Sequence, residues 1–283
     1  MAKNELTTVE KFNLVTGMEE MDEELKAELK AELEDELGDL DEENGIICRQ
    51  IKIPSGGGKA FEVESDDPDD PEVMKEISGV IIFTHRANAY WEHKYGEGED
   101  GNNEAPTCSS MDGKVGVRLE TGEMCNCDTC PYNEYGVDGS GKPCKNIRRI
   151  YMLIDGMPGV YLLSVPPTSI KDVNRQLARI MGHNKIPYTR MVMKFKLDAA
   201  TNKSNIKYSK VVVDKEGILP AEMFKITASM RKELKEKYTE IAITGSDYNM
   251  TPPGTVERNM HDVIDINNAG FVQADAKEEV PFN

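Results

Sequence analysis

Long apolar runs are missing from this chain. No stretch is long enough to span a bilayer, and the opening MAKNELTTVEKFNLV has no apolar segment of the kind a secretory signal needs. The expectation is a cytoplasmic protein without a membrane partner. Histidine is scarce too: only His85, His93, His183 and His261 occur, and no two make a His-x-x-x-His pair. There is no nucleophile elbow, no paired-acid motif on a common strand and no phosphate-cradling glycine loop. GGGK at 56–59 lacks both the spacing and the hydroxyl residue of a Walker loop. These absences argue against an enzyme. The crowded Asp66, Asp67, Asp69 and Asp70, broken by prolines, read as a solvated loop rather than a nuclease centre.

What is present is charge, unevenly spread. The apolar share is 39% and the charged share 30%, values that suit a folded core carrying solvated appendages. The net charge of −17 hides two opposite regions. Residues 18–44 hold 14 acids against two lysines, and DDPDDPE at 66–72 adds five more negative charges. Residues 140–237 instead hold 20 Lys and Arg against eight acids. Such asymmetry predicts a polyanion-binding surface with acidic segments attached.

Five of the six cysteines crowd into one polar segment: Cys108, Cys125, the C-x2-C pair Cys127 and Cys130, and Cys144. The segment is rich in Gly, Asn, Asp, Ser and Pro and can hardly build its own apolar core. Cys108, Cys127, Cys130 and Cys144 around one structural zinc would staple it. A redox or disulfide role and unliganded thiols are the competing readings, and a reducing compartment disfavours bridges. A catalytic zinc is disfavoured, because no histidine lies within the cluster. Cys125 complicates the ligand count, and its replacement by Ser is expected to be tolerated. Cys48, beside Ile46 and Ile47, reads as a packing residue.

Three regions are expected: an acidic helical segment at 1–44, a β-rich body at 45–242 with the cysteine excursion at about 105–146, and a flexible acidic tail at 243–283. Leu25, Leu29, Leu33 and Leu37 recur every four residues on the acidic helix. Docking on the body, self-association and mimicry of nucleic-acid charge are all open for it. In the body, strands are predicted at 46–53, 59–64, 77–84, 146–155, 159–167, 189–200 and 206–214, the last two as a hairpin. Helices are predicted at 169–184, capped by Ser169, and at 220–242, starting with Pro220. The predicted fold class is β-rich α+β, a small antiparallel barrel or sandwich with flanking helices.

Positive charge and aromatics interleave on the proposed strands. Side chains two apart share a face, so Arg149 pairs with Tyr151, Lys194 with Lys196, and Tyr208 with Lys210. Arg148, Arg190 and Lys207 add charge beside them, and Arg86 and Trp91 sit in HRANAYWEHKY. Phosphate neutralisers beside flat rings are what a single-strand site uses. The bland alternative puts the rings in the core and the lysines in solvent; Trp91 reads equally as core anchor or stacking platform.

GVIIFTHRANAYW, PTCSSMDGKVG, CDTCPYNEYG, GKPCKN and LSVPPTSI together resemble a family of single-stranded-DNA-binding proteins encoded by bacteriophages and mobile elements. The match covers about residues 75–215. The resemblance implies an OB-fold, a five-stranded barrel, with an inserted four-cysteine zinc element whose ligands fall on Cys108, Cys127, Cys130 and Cys144. The end, DAKEEVPFN, is similar to the acidic tip with which bacterial single-stranded-DNA-binding proteins recruit replication and repair enzymes. Glu278, Glu279, Val280, Pro281 and Phe282 carry that likeness, although Asn283 follows the Phe. The expected function is largely sequence-independent binding of single-stranded DNA in phage replication or recombination, without catalysis. Two rivals stand beside it: an acidic interaction protein working through residues 18–44, and a metal-dependent nuclease or strand-annealing protein.

Overall fold

The computed structural model describes residues 7–14, 22–39, 48–67, 70–92, 105–137, 141–202, 205 and 207–248. The proposed partner-binding residues Glu278, Glu279, Val280, Pro281 and Phe282 lie outside the described residues, as does part of the acidic segment. The elements run α1 (Glu23–Asp39), β1 (Cys48–Lys52), β2 (Phe61–Val63), β3 (Glu72–Met74), β4 (Glu76–Tyr90), β5 (Cys108–Ser110), β6 (Val115–Arg118) and β7 (Met124–Asn126). They continue with β8 (Lys145–Ile154), β9 (Val160–Val165), α2 (Pro167–Asn184), β10 (Met191–Thr201), β11 (Lys207–Ile218) and α3 (Phe224–Lys237).

All strands join one sheet in the order β3-β2-β1-β9-β8-β4-β5-β6-β7, and the β10–β11 hairpin branches from β4. The β-rich α+β class is thus found, but the sheet is open and mixed rather than a closed antiparallel barrel. β1 runs parallel to β9, Cys48 beside Val160, and among the described residues no pairing joins β3 to β7. That parallel contact spans more than a hundred residues of chain and has no local turn to announce it.

Apolar side chains cover both faces of the sheet centre, as the near-continuous run VIIF in β4 requires. On one face Ile77, Ile81, Ile150 and Met152 meet Val173, Leu177 and Ile180 of α2 and Phe195 of the hairpin. On the other, Val80, Ile82, Phe83, Tyr151 and Leu162 meet Leu234 of α3. Strand β4 carries a bulge where its register with β8 shifts between Ile81 and Phe83. Ile82 and Phe83 therefore both turn toward α3, and alternation resumes with His85, Ala87 and Ala89 inward and Arg86 exposed. The strand extends to Tyr90, well past the expected end at residue 84, because HRANAY keeps that alternation.

Helix α2 starts at Pro167 with Pro166 as its cap. Ser169 is buried instead of capping, and its Oγ accepts the Val211 amide at 3.0 Å, tying α2 to β11. A 3-10 turn, Ala221–Met223, separates Pro220 from α3. On α1, Leu25 and Leu33 are 41% and 48% exposed, so the leucine stripe is not docked along its length.

Candidate nucleic-acid interface and thiol cluster

The segment S-x-D-G of the cysteine element is a self-sufficient turn. Asp112 Oδ1 accepts the amides of Lys114 (2.7 Å) and Val115 (2.9 Å) and the Ser110 hydroxyl (3.0 Å). Burial raises the Asp112 pKa, but these hydrogen bonds more than offset it and hold the carboxyl below its usual value. Gly113 has φ of 71°, and a Cβ there would lie 3.0 Å from Cβ of Arg86. Only glycine lets this turn rest against β4.

Strands β5, β6 and β7 form a meander that gathers the thiols. Gly116 of β6 faces Cys125 of β7 in register. A Cβ on Gly116 would stand 2.9 Å from Sγ of Cys125, 3.0 Å from Sγ of Cys108 and 3.5 Å from Sγ of Cys127. The glycine thus leaves a cradle of side-chain size filled by sulfur. Cys127 is fixed by its amide on the Lys114 carbonyl (2.8 Å) and by Asn133 Nδ2 donating to its carbonyl (2.7 Å). Cys144 is fixed by its amide on the Tyr132 carbonyl at 2.7 Å. All five cysteines are free thiols and line one cavity of about 360 Å³.

Among the described residues no three His, Cys, Asp or Glu side chains already stand in a metal-holding arrangement; the thiols are gathered but not drawn to one centre. The donor set nevertheless fits a soft divalent ion, which thiolates select. Burial pushes the Cys108 and Cys144 thiols up to about 12. Metal-free, these two are therefore neutral thiols, and a bound cation would have to displace their protons.

Beside this element lies an arginine surface. Arg86 and Arg148 are direct partners across β4 and β8, so two like charges share one face, an arrangement that is destabilising by itself. Ion pairs engage Arg49, Arg118, Arg149, Arg175, Lys194, Lys196 and Lys210; among the described residues neither Arg86 nor Arg148 has one. Arg148 Nη1 donates to Thr84 Oγ1 at 3.1 Å, while its buried Nε has no partner. Burial, and next the charge of Arg86, hold the Arg148 guanidinium below its ordinary pKa. Arg231 of α3 reaches the same strand, donating to the Ile82 carbonyl (3.2 Å) and to the Tyr188 hydroxyl, with its guanidinium 5.2 Å from the Tyr188 ring. At the far end Tyr90 stacks on Tyr132 with centroids 4.3 Å apart, and Asn146 bridges Asn88 (2.7 Å) and Asn133 (3.1 Å).

The other expected contact residues are placed differently. Arg149 and Tyr151 do share a face, but it is the inner one, and both are buried. Arg149 meets Asp247 through two hydrogen bonds (3.2 and 3.0 Å) and donates to the Ile241 (2.9 Å) and Ala242 (2.5 Å) carbonyls. Neither residue is available to a ligand at the surface. Arg190 is half-buried, bound to the Phe224 carbonyl and Thr227 Oγ1, with its guanidinium 4.5 Å from the Phe224 ring; it positions α3. Lys194 and Lys196 both pair with Glu76, and Lys210 pairs with Asp172 at 2.6 Å. Lys207 is exposed and Tyr208 half-buried on the same hairpin. Trp91 packs half-buried against the cluster of Ala87, Ala89, Ile147 and Ile243.

Tyr90, Tyr132 and Arg231 escaped the sequence reading, whereas Tyr188 is legible there as an aromatic beside Arg190. Tyr90 and Arg86 are four apart on one strand and so share a face; that signal was available once β4 was known to run on. Tyr188 and Arg231 meet only through the fold. Comparisons with protein-family models, with curated proteins and with solved structures find no match to this chain.

Proposed function

We propose that this chain binds single-stranded DNA, largely without reading its sequence, on the β4–β8 face beside the thiol element, and that it carries out no catalysis. The observation that supports this best is the in-register pair Arg86 and Arg148. Two guanidiniums facing each other with no carboxylate among the described residues form a seat that an anion relieves, and a phosphate diester is an anion that matches bidentate guanidinium geometry. Arg231 with Tyr188 extends the seat on one side. On the other, the Tyr90–Tyr132 stack presents an aromatic surface on which a base can continue the stacking. A duplex buries its base faces, so this pairing of ring and cation favours single strands.

One structural zinc held by the cysteine element belongs to the same reading, with Cys108, Cys127, Cys130 and Cys144 as the starting ligand set. It would fix the meander against Arg86 through the Gly113 turn. We extend the OB-like relationship to this function as well. Long β4 pairs with β8 along one edge and with both β10 and β5 along the other, the kind of strand that serves two layers in a small barrel. The resemblance to phage and mobile-element proteins supports replication or recombination as the setting, in the host cytoplasm, with residues 278–282 recruiting a partner protein.

The test is a titration of purified protein with labelled poly-dT, RNA of equal length and duplex at two salt concentrations, with metal content measured on the same sample. The expected result is preference for the single strand, an affinity that falls steeply with salt, and about one zinc per chain. A flat salt response, or equal affinity for duplex, ends this reading.

A further inference from the structure

We propose that Cys125 is itself a metal ligand and exchanges with Cys130 for one coordination position, so that five thiols serve four seats around a single soft divalent ion. This rests on the zinc reading above and departs from it in the ligand set. Zinc–thiolate bonds of about 2.3 Å in a tetrahedron place any two ligand sulfurs about 3.8 Å apart. The Cys108 and Cys125 sulfurs are 3.8 Å apart. They come from β5 and β7 on either side of β6, a backbone separation of about 9–10 Å from strand spacing. That is too far for a disulfide without backbone movement. The two sulfurs approach each other as ligands of a common centre do, above a glycine that leaves the space open.

The remaining thiols divide around that pair. Cys127 borders the Gly116 cradle together with Cys108 and Cys125. Cys144 lies close enough to interact electrostatically with Cys125, Cys127 and Cys130, and Cys108 likewise with Cys125, Cys127 and Cys144. Cys108, Cys127 and Cys144 are thus common to either arrangement. Cys125 approaches from β7, held by sheet register, whereas Cys130 approaches from the turn before the 3-10 segment Pro131–Asn133, held by the Asn133 amide on its carbonyl at 2.9 Å. Either thiol completes a four-sulfur set.

The experiment uses the full chain and Co2+ as the probe, because thiolate-to-cobalt absorption reports the number of sulfur ligands. Wild type, Cys125→Ser, Cys130→Ser and the double variant are titrated, with chelator competition for affinity. If the fifth thiol is a ligand, Cys130→Ser keeps a four-thiolate spectrum and loses no more than about tenfold in affinity, and so does Cys125→Ser, while the double variant loses on the order of 100-fold or more. A Cys130→Ser protein that binds cobalt as poorly as the double variant overturns the exchange. A second measurement needs no substitution: alkylation of wild type with iodoacetamide, mapped by mass spectrometry, with and without zinc. Zinc should slow modification at Cys125, and equal rates there also overturn the proposal. Wild type that holds no metal removes the zinc reading altogether, whereas metal bound with Cys125 unprotected removes only this ligand assignment.

Discussion

Arg148 and Arg149 are adjacent in β8 and identical in chemistry, and the two faces of the sheet give them opposite surroundings. Arg149 points inward, is 1% exposed, and is saturated by Asp247, two carbonyls and the Tyr151 hydroxyl. Arg148 points outward toward Arg86 and leaves Nε without a partner. One cation completes the fold; the other has no carboxylate partner among the described residues. The hairpin lysines Lys194, Lys196 and Lys210 form a third case, since they lie at the surface but are already neutralised by Glu76 and Asp172. Counting positive charge along a strand therefore says little about binding until the partner of each charge is known.

The contrast is sharpest in stability. Arg149→Leu leaves the Asp247 carboxylate buried and unpaired, a loss expected at about 3–5 kcal/mol. Arg148→Leu removes a like-charge contact and should cost about 1 kcal/mol or less. Urea unfolding of the two variants decides, and equal losses would break the comparison.

The inner face should also make itself felt through pH. His85 is buried beside Tyr151; its Nδ1 donates toward the Arg86 (2.9 Å) and Met111 (2.7 Å) carbonyls, and Nε2 accepts from the Tyr151 hydroxyl at 3.2 Å. Burial, with the charges of Arg149 and Arg148, brings its pKa from 6.5 down to about 4. Between those values the unfolded chain binds the proton and the folded one does not. Stability is thus full above pH 6.5 and falls toward pH 4, by about 3 kcal/mol for this one group. Unfolding midpoints at pH 7.5 and 4.5 should show the drop in wild type and a shallower one in His85→Gln.

On the outer face the effect is read as affinity. Replacing Arg86 and Arg148 together with Ala should weaken poly-dT binding on the order of tenfold or more and lower the log–log salt slope by about two. Lys194→Ala with Lys196→Ala should change it by less than about threefold, because those lysines already have carboxylate partners. The reverse order would move the interface back to the hairpin. Smallest of all, Tyr132→Ala should cost about 1 kcal/mol of binding through lost stacking, with the salt slope unchanged.

Local features were legible in the sequence: the β10–β11 hairpin from its alternation and polar turn, α2 from its periodicity, and the thiol element from cysteine spacing. The Ser169 cap failed because tertiary packing claimed that hydroxyl for Val211. The closed barrel failed because, among the described residues, the edge strands β3 and β7 do not pair, and the β1–β9 contact that does form is parallel and 112 residues apart in the chain. The candidate interface was half legible. Alternation correctly placed Arg149 with Tyr151, yet nothing local said which face was buried, since Asp247 lies 98 residues from Arg149. The neutralisation of Lys194 by Glu76 is equally invisible until β10 docks on β4.

The bulge in β4 separates shape from composition. Ile82 is the extra residue, sharing its face with Phe83, so a chain lacking Ile82 would keep every later side chain on its present face. Such a deletion would remove the bend and added twist that a bulge imparts while preserving Arg86 and Asn88 opposite their β8 partners. The bend falls between Val80, where pairing with β10 ends, and Asn88, where pairing with β5 begins. The angle between the hairpin and the cysteine element is therefore tied to a single inserted isoleucine, and a one-residue deletion would change the contour of the β4–β8 face without altering one charge along it.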